Sequence, residues 1–193
     1  MKLIYIKDEE FIRGDCPMTK EEIRILSIAK LEIKDEYVLL DVGAGTGSVS
    51  IQMSKCCPKG QVIAIEKDPK ALDILVKNKE KFDAHNLSII EGEALEIEGQ
   101  INKQFDAIFI GGSGGNIETI IKSYSLKLKQ GGNIVLNFIT IDNLYKAMST
   151  LKELGYETEC VQLSVSKTKK FMLVANNPIF ILSGKKTMEV QNG

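Results

Sequence analysis

Short apolar runs alternate with amphipathic stretches along this 193-residue chain. Val38–Val42, 62–66, Leu87–Glu91, 107–110 and 134–138 read as buried strands, several of them ending at a glycine or an acid. Between them, 48–55, 69–82, 117–129 and 143–154 read as helices. Asp68 ahead of Pro69 is a favoured helix start. Gly131 and Gly155 read as helix stops. This alternation predicts an α/β fold, a doubly wound and mostly parallel sheet. After Gly155 the rhythm changes. Stretches 157–165 and 178–183 read as strands with no helix between them, an antiparallel pair at the C-terminal edge. From Lys185 a polar tail is expected to fray.

Ahead of the first strand, Thr19 and Glu22 stand at capping-box spacing. Ile23, Ile25, Leu26, Ile28, Ala29 and Leu31 continue a helix from there. No repeat, low-complexity run or linker divides the chain, so one domain is expected. Its parts are an N-terminal capping segment and helix (1–36), a ligand-binding domain (37–184) and a tail (185–193).

Composition narrows the partners. The chain carries 25 basic and 26 acidic residues, a balance without the footprint of a nucleic-acid binder. No run approaches the roughly 18 apolar residues of a membrane span. The first residues mix acids into a short apolar run, unlike a secretory signal, and a cytoplasmic location is expected. Cys16, Cys56, Cys57 and Cys160 form no C-x-x-C pair and read as reduced thiols, not zinc ligands. His85 is the single histidine, so no metal site built on a histidine cluster is expected. It falls in a helix-to-strand loop and reads as a bystander.

The strongest chemical signal is Leu39-Leu40-Asp41-Val42-Gly43-Ala44-Gly45-Thr46-Gly47, a buried strand entering a glycine-rich turn ahead of a helix. Glycines permit positive φ and let a ligand approach the backbone. Gly43, Gly45 and Gly47 make G-x-G-x-G. A dinucleotide turn prefers G-x-G-x-x-G, and the G-K-[ST] of a phosphate loop is absent. Asp41 suits a cationic ligand better than a pyrophosphate. Glu66 ends the second strand about 20 residues on, where an acid can accept ribose hydroxyls. Glu93 and the Ala94 amide follow the third strand, placed to clasp an adenine edge. Taken singly, these residues also read as a tight turn, a strand-end acid and a loop acid.

Together, the D-V-G-A-G-T-G turn, the acid after strand two and G-E-A after strand three resemble class I S-adenosylmethionine-dependent methyltransferases. The resemblance runs from residue 37 to about 183. It implies a Rossmann-like sheet of seven strands whose last strand is antiparallel. Two further stretches narrow it. Phe11-Ile12-Arg13-Gly14 with Pro17-Met18-Thr19-Lys20-Glu21-Glu22-Ile23-Arg24, and the run Gly111, Gly112, Ser113, Gly114, Gly115 after strand four, resemble the cobalt-precorrin-6B C15-methyltransferase (decarboxylating) family. That family acts in cobalamin biosynthesis.

The resemblance implies S-adenosylmethionine as cofactor, carried on Thr19, Gly43, Ala44, Gly45, Thr46, Gly47, Glu66 and Ala94. Many family members have Asp where this chain has Glu66 and Glu93. It also implies a tetrapyrrole substrate and a homotetramer, with 171–174 as the candidate apolar contact. Such a substrate bears many carboxylates. Arg13, Lys167, Lys169, Lys170 and the glycine run from Gly111 to Gly115 are the candidate partners for them. Gly112 is expected to need its hydrogen for close approach and positive φ. The runners-up are a class I methyltransferase acting on tRNA or protein, a non-catalytic module that only holds the cofactor, and a dehydrogenase.

Overall fold

The computed structural model describes residues 5–112 and 115–187. Seven strands form one sheet in the order β3-β2-β1-β4-β5-β9-β6. They are β1 (Val38–Val42), β2 (Gln61–Glu66), β3 (Leu87–Glu91), β4 (Phe105–Ile110), β5 (Leu128–Phe138), β6 (Tyr156–Leu163) and β9 (Ile179–Lys186). The first five run parallel, and β9 lies antiparallel between β5 and β6. The expected seven-stranded sheet with an antiparallel last strand is therefore the one observed.

Alternate residues of each strand point to opposite faces. Leu39, Val62, Ala64, Ala107, Phe109 and Val135 pack under α1 (Glu21–Leu31), α2 (Ser48–Cys56) and α3 (Pro69–Lys81). Leu40, Ile63, Ile65, Ile108, Ile110 and Ile134 pack under α4 (Ala94–Ile97), α5 (Ile117–Ser125) and α6 (Ile141–Glu153). With both faces covered, the strands read as continuous apolar runs.

Four expectations are corrected. Helix α5 stops at Ser125 rather than reaching 129, and Leu128 already pairs with Phe105 of β4. Gly131 does not end a helix. It sits at φ +74° inside β5, where the register slips against β4. The capping box at Thr19 does not form. Lys20 takes the N-cap without a side-chain bond, and the Thr19 carbonyl instead accepts from the Arg24 guanidinium at 2.7 Å. Last, β9 continues two residues past 184. The Lys186 ammonium is held by the Ser125 and Leu128 carbonyls at 2.6 and 2.9 Å, and the Thr187 hydroxyl donates to the Gly155 carbonyl at 2.6 Å, so residues 185–187 are held against the sheet. Asp68, by contrast, caps α3 as expected, accepting from the Lys70 amide at 2.9 Å with Pro69 in the first turn.

The interval between β6 and β9 holds an additional hairpin, β7 (Ser166–Lys169) and β8 (Met172–Ala175), which forms its own two-stranded sheet. Phe171 at its turn is fully exposed, and Met172, Leu173 and Val174 are exposed as well.

Candidate active site

Strand order reverses at β1, which pairs with β2 on one side and β4 on the other. Open α/β sheets bind ligands at the carboxyl ends of strands beside such a switch point. Here that edge opens into a cavity of about 760 Å³, within the roughly 300–1,000 Å³ of small-molecule sites. It gathers Arg13, Thr19, Gly43, Ala44, Gly45, Thr46, Glu66 and Gly111, which lie far apart in sequence. A smaller adjoining cavity of about 150 Å³ shares Gly43 and Glu66 with it. This one holds Glu93, Ala94 and Gly112, with Ile65 and Ile120 as apolar walls. Ser113 and Gly114 lie outside the described residues.

The three turn glycines are glycine for different reasons. The amides of Gly43 and Ala44 both donate to the Ile65 carbonyl at 3.0 Å, anchoring the turn to β2. A Cβ on Gly43 would lie 2.9 Å from the Gly112 backbone, and one on Gly47 would lie 2.1 Å from a Leu75 methyl. Those two positions are closed by packing. A Cβ on Gly45 would meet only the Pro17 carbonyl, at 3.6 Å. There the demand comes from φ of +56°, beside the open cavity. The positive φ expected of Gly112 is corrected: it is not among the positive-φ glycines, and among the described residues a Cβ there meets nothing within 4 Å. Part of the reason for the double glycine is close approach to the first turn: a Cβ on Gly111 would lie 3.1 Å from the Gly43 carbonyl.

Glu66 is nearly buried at the end of β2. Its carboxylate accepts the amides of Gly45, Lys67 and Asp68 at 2.7, 2.8 and 2.9 Å. The group is thus fixed in the cleft, with acceptor capacity left on the oxygen that faces Gly45. Asp41 is fully buried. One of its oxygens accepts the Ser50 hydroxyl, and the other has no protein partner. Burial pushes the carboxyl up to about 7; the Ser50 bond opposes this and the nearby Glu66 charge adds to it. Thr46 Oγ1 and Glu22 Oε2, also on the cavity wall, are further buried polar atoms without a protein partner among the described residues. Buried polar atoms in folded proteins are normally satisfied, so these three are candidate contacts for a polar ligand.

The rest of the wall comes from the N-terminal segment (Arg13, Cys16, Met18, Lys20) and from Asn137, Asn176 and Asn177. The three asparagines carried no sequence signal, and Lys20 appeared only as a member of the N-terminal stretch that carries the resemblance. Asn137 ends up there because β5 brings it to the carboxyl edge, where it exchanges hydrogen bonds with Ser27 at 3.1 Å. Of the candidate lysines, Lys167 pairs with Glu22 at 2.6 Å. Partial burial of Glu22 favours its protonated form, yet the Lys167 bond and charge prevail and hold the carboxyl below its usual value. Lys169 and Lys170 are exposed and lie off the cavity wall. His85 is exposed in the turn entering β3, at the opposite edge of the sheet. Glu93 pairs with Lys67 at 2.6 Å. The Ala94 carbonyl accepts the buried Tyr124 hydroxyl at 2.7 Å, which fixes the start of α4.

Comparison with known proteins agrees with this fold. The family model described as precorrin methyltransferase domain matches residues 10–175. A Sulfolobus acidocaldarius protein named as a probable cobalt-precorrin-6B C(15)-methyltransferase (decarboxylating) is 45% identical, covering 96% of this chain and 100% of that protein. The cobalt-precorrin-6B C(15)-methyltransferase (decarboxylating) of Salmonella typhimurium is 41% identical, covering 94% and 96%. Among solved structures, a precorrin-6y C5,15-methyltransferase from Geobacter metallireducens superposes with a TM-score of 0.91 at 39% identity, covering 96% and 98%. A precorrin 8W decarboxylase from Methanobacterium thermoautotrophicum gives 0.87 at 30% identity, covering 93% and 98%.

Proposed function

This chain belongs to the precorrin methyltransferase domain family, and from that premise we propose that its cavity binds S-adenosylmethionine beside a cobalt-precorrin-6B-type tetrapyrrole. The enzyme methylates carbon 15 of that substrate and releases the acetate carboxyl of ring C as carbon dioxide, a step of cobalamin biosynthesis. The observation that carries the reading is the union, in one cavity, of the glycine turn, Glu66, the unpartnered Asp41 oxygen and the N-terminal segment with Arg13.

The cofactor fits these residues. Gly43, Ala44 and Gly45 offer backbone at close range, and Glu66 is set to accept ribose hydroxyls. Asp41 and Thr46 supply buried polar atoms that lack protein partners. The neighbouring slot between Ile65, Ala94 and Ile120 suits a flat base. When bound, the sulfonium supplies an electrophilic methyl group. The acidic floor of Asp41 and Glu66 favours a cationic ligand, because opposite charges at short range stabilise one another.

The chain's own contribution to rate is placement. A meso carbon of a reduced tetrapyrrole is already electron-rich, so alignment replaces a strong protein base. Arg13, Lys20 and the carboxamides of Asn137, Asn176 and Asn177 hold and orient substrate carboxylates by hydrogen bonds. The walls of Met18, Ile23, Phe109 and Ile179 exclude water from the reacting atoms. Electrons freed by decarboxylation pass into the protonated macrocycle, which acts as its own sink. The exposed tip formed by Phe171, Met172, Leu173 and Val174 is proposed as the contact between copies in a homotetramer.

Incubating the protein with cobalt-precorrin-6B and S-adenosylmethionine tests the reading by mass spectrometry. The expected product has gained one methyl group and lost carbon dioxide. Methylation of tRNA or of protein, with the tetrapyrrole unchanged, would overturn it.

A further inference from the structure

We infer that Asn78 is a positioning residue that ties the glycine turn of the cofactor site to the N-terminal segment carrying Arg13, so that occupancy of one side sets the other. The inference rests on the functional reading above only in calling Arg13 substrate-facing.

Three helices lie on one face of the sheet, and each contributes one large, fully buried polar side chain that reaches the N-terminal segment: Arg24 from α1, Gln52 from α2 and Asn78 from α3. All three reach the same neighbour, the segment running from Ile6 to Thr19. Gln52 accepts the Ile6 amide at 3.1 Å. Arg24 donates to the Ile6 and Thr19 carbonyls and pairs with Asp8 at 3.1 Å, while its guanidinium stacks 4.8 Å from the Phe11 ring. Burying a polar side chain is unfavourable unless it is hydrogen-bonded. An apolar residue at each place would pack α1, α2 and α3 onto the sheet without that demand. The polar choice is explained by the segment they hold.

Among the three, Asn78 alone also reaches the glycine turn. Its carboxamide oxygen accepts the Ile12 amide at 2.9 Å, and its nitrogen donates to the Ile12 carbonyl at 2.8 Å. The same nitrogen donates to the Thr46 carbonyl at 2.9 Å. Both amide hydrogens and the oxygen are used, a set that only a carboxamide provides. Ile12 directly precedes Arg13, and Thr46 lies between Gly45 and Gly47. One rigid planar group therefore spans the two halves of the cavity. Nothing else in the chemistry of the site requires an asparagine on the buried face of α3. Its spacing within that helix reads as an ordinary core position.

The test is hydrogen exchange by mass spectrometry on the full chain, with S-adenosylhomocysteine as probe. In the ligand-free protein, Asn78→Ala is expected to speed exchange across residues 10–19 by about tenfold, the effect of losing a buried hydrogen bond. Residues 48–56 are expected to stay unchanged. With the probe bound, the wild type should slow exchange in both the turn and the segment. Asn78→Ala should still slow it in the turn and at the cavity-lining residues 16–19, which the probe can touch directly, but no longer at residues 10–14. Ile12→Pro is the second variant. It deletes the amide that Asn78 accepts at an exposed residue, and Phe11 already has the extended backbone that precedes proline. Ile12→Pro should loosen the segment in the same way, and it covers the case in which Asn78→Ala does not fold. In turnover, Arg13→Ala and Asn78→Ala should each raise the KM for cobalt-precorrin-6B, and the double variant should raise it no further than Arg13→Ala. Probe-induced protection of 10–14 that survives both substitutions would overturn the inference, as would multiplicative KM effects. Failure of the wild type to bind the probe by calorimetry would instead count against the cofactor reading. The ligand-free exchange comparison would still decide whether Asn78 holds the segment.

Discussion

Substituting Asp41→Asn should change how stability depends on pH. The carboxyl is fully buried and titrates at about 7 in the folded chain, against 3.8 for an ordinary aspartate. Between those two values the folded state holds a proton that the unfolded state has released. Stability therefore falls as pH rises through this interval and levels off above it. At roughly 1.4 kcal/mol per pH unit, an interval of about 3 units amounts to about 4 kcal/mol. Asparagine keeps the shape, still accepts the Ser50 hydroxyl and cannot ionise. Glu22 and Glu32 are held below their usual 4.5, so the stability they add is lost only as pH falls beneath that value. Urea unfolding of the ligand-free protein from about pH 5 to about pH 8 isolates Asp41 from them. The wild-type midpoint should drop across this range while the Asp41→Asn midpoint stays nearly level. A cationic ligand beside the unpartnered oxygen favours the ionised form. Wild-type affinity for S-adenosylmethionine should accordingly rise through the same range, and that of Asp41→Asn should not. Parallel stability curves for the two proteins would refute the reasoning.

Glu66→Ala should weaken S-adenosylhomocysteine binding by about 10- to 150-fold, the range for a hydrogen bond to a charged group; calorimetry on the folded variant reads this directly, and unchanged affinity removes Glu66 from the site. Gly43→Ala should lower both the melting temperature and cofactor affinity, since its Cβ would press on the Gly112 backbone at a φ of +73°. Gly112→Ala should leave the melting temperature near wild type, and a loss equal to that of Gly43→Ala would contradict the open space seen there. Phe171→Asp should shift the protein toward smaller species in light scattering, and an unchanged mass would exclude the hairpin tip as the contact between copies.

The centre of the sheet was legible because β1, β2 and β4 are buried on both faces, so each appears as a nearly unbroken apolar run. Glu66 and the turn were legible because their chemistry is local: a strand end, then glycines. Helix α5 was overextended for an equally local reason. Lys127, Lys129 and Gln130 continue a plausible polar helix face, yet Leu128 is buried in the sheet and Phe105 donates to the Lys127 carbonyl at 2.8 Å. Only the partner strand reveals that choice. Gly131, read as a helix stop, sits beside Gly132, where a Cβ would come within 2.7 Å of the Asp106 carbonyl, so the pair marks a strand irregularity. The β7–β8 hairpin was missed because its strands have four residues each and none of those is buried. Without a covered face there is no alternation to read.

The substrate side was legible only through resemblance, and the structure gives the reason. The cofactor side is built by backbone and strand ends, which follow from the pattern of the chain. The opposite wall is an irregular segment whose place is set by contacts from elsewhere: Arg24, Gln52 and Asn78 lie 5 to 66 residues from their partners along the chain. Each is a large polar side chain on the buried face of its helix. In the folded chain these side chains hold an N-terminal segment whose regular structure is one short 3-10 turn, Asp8–Glu10, as a wall of the cavity. The division has a mechanical consequence. The sheet holds the cofactor side rigidly through the Ile65 carbonyl and β2, whereas the segment from Phe11 to Thr19 is held by a few buried bonds. Loss of one of those bonds should therefore loosen this segment while the cofactor turn stays in register.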